Sequence, residues 1–102
     1  MNVTANTEIN VAITAKKFGS LVVIEFQSGW MPWNANEIIT IGWTHDTPVA
    51  YVSREAVFGD GNAVKCENAF VLVDNTAINV RTPSTWENGR YAHIFGTLAF
   101  LV

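Results

Sequence analysis

Apolar and polar residues alternate along most of this chain, and helical periodicity is nearly absent. The first alternating run spans Ile9 to Lys17, with Ile9, Val11 and Ile13 on one face. Phe18-Gly19-Ser20 reads as a tight turn. Leu21 to Ser28 follows, placing Val22, Ile24 and Phe26 on one face and Leu21, Val23 and Glu25 on the other, so these two runs predict a hairpin. Gly, Pro and Asn make residues 29–36 a loop. Further strands are expected at Glu37 to Trp43, Val49 to Phe58, Ala63 to Glu67 (a short one), Asn68 to Val73 and Ala77 to Arg81. Gly59 to Asn62 reads as a turn, and Asp74-Asn75 as the turn of a second hairpin, since Asp and Asn tolerate positive φ. Pro83 to Gly89 is the last loop.

The closing run, Arg90 to Val102, departs from this pattern because both of its faces are apolar. One parity carries Tyr91, Phe95, Ala99 and Leu101, and the other Ala92, Ile94, Leu98, Phe100 and Val102. It is too short to cross a bilayer as a helix. About seven to eight short strands at this spacing predict an all-β fold, an antiparallel β-sandwich or jelly roll. One small sandwich has one interior, so the second face of the last strand needs a cover, most simply another copy of the chain. Tyr91, His93, Phe95 and Phe100 are the expected subunit-interface residues.

Composition sharpens this picture. The 102 residues make one domain, 49% hydrophobic and only 15% charged, and such low charge fits a surface partly hidden in an assembly. Residues 1–8 read as a polar linker or the remnant of a preceding stalk, and residues 9–102 as the sandwich. The first residues, polar and uncharged, do not read as a secretory leader. The net charge of −3, with no basic block, argues against binding nucleic acid, and no basic amphipathic helix is present to lie on a membrane. Cys66 is the single cysteine, so it reads as a small buried hydrophobe.

Catalytic and metal patterns are absent from the sequence. His45 and His93 lack zinc spacing, the carboxylates are scattered singly, and neither a nucleophile elbow nor a phosphate loop occurs. Asp60-Gly61-Asn62 reads as a turn rather than a calcium loop, because calcium wants six or more oxygens. No cofactor or metal is expected. Tryptophan is in excess. Trp43 lies within a strand and is assigned to the core, whereas Trp30, Trp33 and Trp86 fall in loops. An indole offers an apolar face and one N–H donor, which suits either a sugar ring or a protein interface. On the first reading Trp30, Trp33 and Trp86 form a saccharide platform, with Asn34, His45, Asp46 and Arg81 supplying polar contacts.

The second half of the chain carries a resemblance. A hairpin Phe70-Val71-Leu72-Val73-Asp74-Asn75-Thr76-Ala77-Ile78-Asn79-Val80 precedes a variable loop, and the chain closes on Gly96-Thr97-Leu98-Ala99-Phe100. The first half agrees through Lys17-Phe18-Gly19-Ser20, the strand Leu21 to Phe26 and Pro48. This resembles the C-terminal head domains of bacteriophage tail-fibre and baseplate receptor-binding proteins. The resemblance implies a non-enzymatic homotrimeric head at the virion tail tip. It would bind a host cell-wall or surface polysaccharide and join other tail proteins through its N-terminus. Three rigidly linked weak sites gain avidity without new contacts. The alternatives are a structural trimerisation module of a phage tail, a protein-binding jelly roll of the C1q or tumour-necrosis-factor kind, and a small glycan hydrolase.

Overall fold

The computed structural model describes residues 2–59 and 66–102. Among them the chain forms nine strands: β1 (Val3–Ala5), β2 (Val11–Phe18), β3 (Leu21–Ser28), β4 (Met31–Trp33), β5 (Ile38–Thr44), β6 (Val52–Gly59), β7 (Cys66–Asp74), β8 (Ala77–Arg81) and β9 (Arg90–Leu101). The strands pair antiparallel in the order β1-β5-β8-β7-β6-β9-β3-β2, and β4 pairs with β9 beside that path. The sheet curls until its two ends meet, giving the expected all-β sandwich, nearly closed as a barrel. Gly42 of β5 sits where it touches both edges, since a Cβ there would lie 2.6 Å from the Thr4 carbonyl and 2.8 Å from Ile13 Cδ1.

Turn chemistry sets both predicted hairpins. Phe18 pairs with Leu21 across Gly19-Ser20, and Gly19 takes φ 60°. Asp74 pairs with Ala77 across Asn75-Thr76, and Asn75 takes φ 58°. Asn reaches that left-handed region more easily than other side-chain-bearing residues.

Alternation then builds the core. Val22, Ile24 and Phe26 of β3 meet Ala92, Ile94, Leu98 and Phe100 of β9, with Phe58, Val71, Val73, Ile78 and Val80 from the facing strands. Burying one such aromatic or branched side chain is worth about 1.5–3 kcal/mol. The outward parity of β9 stays open, with Tyr91, Phe95 and Leu101 each about half exposed. The last strand is therefore two-faced as expected, and a single chain covers only one face.

Four expectations are corrected. Residues 1–8 are not simply a linker, because Val3–Ala5 pairs with Thr44, Trp43 and Gly42 of β5 and Val3 is buried. Met31–Trp33 is a short strand rather than loop, with Pro32 opposite Tyr91. Phe100 belongs to the core, opposite Val22, and cannot be an interface residue. Trp43 is on the surface, 41% exposed, because β5 carries a bulge between Thr40 and Gly42. One extra residue reverses the side-chain parity beyond it. The expected turn and calcium candidate at Asp60 to Asn62 and the strand start at Ala63 lie outside the described residues, as does the side chain of Cys66.

Candidate functional site

Two loops meet at one end of the barrel: residues 34–37, between β4 and β5, and residues 82–89, between β8 and β9. Their foundation is aromatic. Phe58 lies edge-on to Trp33 (5.4 Å between ring centres) and to Trp86 (4.4 Å), and all three rings are buried. The indole N–H of Trp33 donates to the Ala92 carbonyl at 3.1 Å, and that of Trp86 to the Arg90 carbonyl at 3.2 Å. The Arg90 guanidinium lies 5.7 Å from the Trp86 ring centre, within cation–π range.

Hydrogen bonds lock the loops together above this base. The buried Thr82 hydroxyl donates to the Asn34 carbonyl at 2.6 Å and accepts from the Glu37 N–H at 2.8 Å. The Asn36 N–H donates to the Pro83 carbonyl, the Ala35 N–H to Asn88 Oδ1, and the Gly89 N–H to the Trp33 carbonyl. Beside this clasp runs a groove of about 370 Å³, lined by Asn36, Asn68, Phe70, Arg81 and Thr82 to Thr85. Phe70 and Arg81 face each other across the β7–β8 ladder, and Phe70 is 43% exposed. The Thr85 hydroxyl donates to Glu67 Oε1 at the rim. An exposed ring beside a guanidinium, two side-chain amides and hydroxyls combines an apolar contact with several directed hydrogen bonds.

The structure divides the predicted ligand residues among four places. Arg81 lines the groove, and Asn34 stands beside it with its side-chain amide bonded to Glu37 Oε1 at 3.0 Å. Trp33 and Trp86 are corrected to buried supports and offer no surface platform. Trp30 is exposed on the outward face of β9, with its ring 5.8 Å from Tyr91 and 5.2 Å from His93. It emerges because β3 and β4 lie end to end along β9 with a one-residue slip between them, at Gly29-Trp30. His93 Nδ1 is 3.2 Å from the Ser28 carbonyl. His45 and Asp46 stand apart from the groove. They lie beyond the far end of β5, about 20 Å along the strand from Ile38 and its partner Arg81. There Thr4 Oγ1 is 2.7 Å from His45 Nε2, and Lys17 Nζ is 3.2 Å from Asp46 Oδ1.

Reasoning from sequence missed Phe70, Asn36, Asn68 and the 82–85 loop. A signal for one pair was present: the Asp74-Asn75 turn sets a register that brings Phe70 opposite Arg81.

The whole curled antiparallel sheet has a counterpart among solved structures. The solved head domain of the lactococcal phage bIL170 matches it with a TM-score of 0.71 and 12% sequence identity, over 100% of this chain and 96% of that one. That structure was described in asking whether the receptor-binding domains of lactococcal phages share a common fold. No protein-family model matches the chain. No curated protein matches it either.

Proposed function

We propose that this chain is the receptor-binding head of a phage tail-fibre or baseplate protein, and that it holds a saccharide of the host surface in the Arg81 groove without catalysing a reaction on it. The fold likeness to the bIL170 head domain along the whole chain carries this reading. The groove supplies what a sugar needs: Phe70 for the C–H face of a ring, and Arg81, Asn36, Asn68, Ser84 and Thr85 for its hydroxyls.

The placement of the chain ends supports the same reading. Asn2 is bonded to His45 and Val102 to Ser20, at the end opposite the groove. A tail joined through the N-terminal side then presents the groove outward, at the virion tip. The open face of β9 supports assembly, with Tyr91, His93, Phe95 and Leu101 covered by sister copies in a homotrimer. Three grooves on one rigid particle allow each to bind weakly.

The test is binding of the wild-type protein to a panel of purified bacterial cell-wall polysaccharides, repeated with Phe70→Ala and Arg81→Ala. Binding to at least one polysaccharide is expected, with each substitution weakening it about tenfold, or about 1.4 kcal/mol. The polysaccharide is expected back at unchanged chain length. Undiminished binding by both variants removes the groove from the reading, and release of new reducing ends overturns the non-catalytic assignment.

A further inference from the structure

The bulge in β5 is a built feature. Thr40 pairs with Asn79 and Gly42 with Ile78, so Ile41 is the inserted residue, and it is fully buried. Gly42 fits only because it lacks a Cβ, and the Ile41 carbonyl accepts the Asn6 N–H at 2.9 Å. Bulges re-aim side chains, and this one turns Trp43 away from the core. The neighbours directly across the ladder are small, Thr4 on β1 and Ala77 on β8, which leaves the indole 41% exposed. His45, two positions on, shares the outward parity and its ring is held against the Thr4 hydroxyl at 2.7 Å. A large aromatic surface is thus displayed beside an imidazole and a hydroxyl.

We infer that Trp43, with His45 and Thr4, forms a second saccharide-binding site on the barrel wall, separate from the Arg81 groove, that takes the apolar face of a neutral pyranose ring. The inference rests on the reading of the protein as a saccharide binder. The indole stacks on the ring carbons, while the imidazole and hydroxyl, already mutually oriented, meet the ring hydroxyls. A long polysaccharide reaching from the groove to the wall engages both sites, and the second contact is then intramolecular.

The experiment follows the four indole N–H resonances of ¹⁵N-labelled protein during titration with neutral monosaccharides, namely glucose, galactose, rhamnose and N-acetylglucosamine. A saturable shift of the Trp43 resonance is expected with at least one of them. Arg81→Ala should leave that shift intact, and His45→Ala should weaken it about fivefold, near 1 kcal/mol. A Trp43 resonance that does not move, or moves linearly and in step with Trp30, overturns the inference. Polysaccharide binding lost in Arg81→Ala with Trp43 silent leaves the groove standing and removes the wall site. A saturable Trp43 shift in a protein whose polysaccharide binding ignores Phe70→Ala and Arg81→Ala does the reverse.

Discussion

Thr82 and Glu37 hold each other by two reciprocal hydrogen bonds, one from the Thr82 N–H to the Glu37 carbonyl at 2.9 Å and one from the Glu37 N–H to the Thr82 hydroxyl at 2.8 Å. Forty-five positions separate them in sequence, and together they close the end of the barrel. Thr82→Val keeps the shape and deletes the hydroxyl, leaving the Glu37 N–H without that acceptor. A destabilisation of about 1–3 kcal/mol is expected by urea unfolding. Thr82→Ser should recover most of it. Equal stability of the valine and serine variants would show that the hydroxyl carries nothing.

Phe95 and Phe100 share a strand but not a fate. Phe95 is 45% exposed on the open face of β9 and Phe100 is buried against Val22. Sedimentation of the wild type should give the mass of three chains. Phe95→Glu should yield a monomer with an unchanged far-ultraviolet spectrum. Phe100→Ala should lower stability by about 3–5 kcal/mol through the cavity it leaves. A wild-type monomer at micromolar concentration contradicts the covered face.

Gly42→Ala introduces a Cβ 2.6 Å from the Thr4 carbonyl, where backbone must move. A loss of about 1–3 kcal/mol is expected, as for other overpacked interiors. The movement should undo the β1–β5 pairing, read as accelerated amide exchange at Asn6 and His45, whose N–H groups donate to the Ile41 and Asn2 carbonyls. Unchanged exchange there would mean that β1 does not depend on the close approach.

Much of the fold can be read from the chain because alternation and burial coincide. Val22, Ile24 and Phe26 point inward as their pattern requires, and so do Ala92, Ile94, Leu98 and Phe100. Period two fails where one residue is inserted. Ile39, Ile41 and Trp43 look equivalent in sequence, yet the bulge sends Trp43 to the opposite face. Gly42 inside a strand run was the available hint. Strands of three residues, such as Val3–Ala5 and Met31–Trp33, are too short for a periodic signature. Loop position also misled for Trp33 and Trp86, because a loop folded back on the barrel end can bury its aromatics when their N–H groups find backbone carbonyls. The groove depends on loops about forty-five residues apart, and no local pattern reports their meeting.

The place of β9 in the sheet has a consequence for how the chain is made. It joins β3 and β4 on one side to β6 on the other, so the strand made after the other eight described ones is the one that links the two halves. Until then the β2–β3 hairpin and the strands from β5 to β8 have no ladder between them. Nascent chains cut before Arg90 should remain protease-sensitive, and refolding should be slow, as distant pairings demand. Protection should arrive in one step once Leu101 clears the exit tunnel.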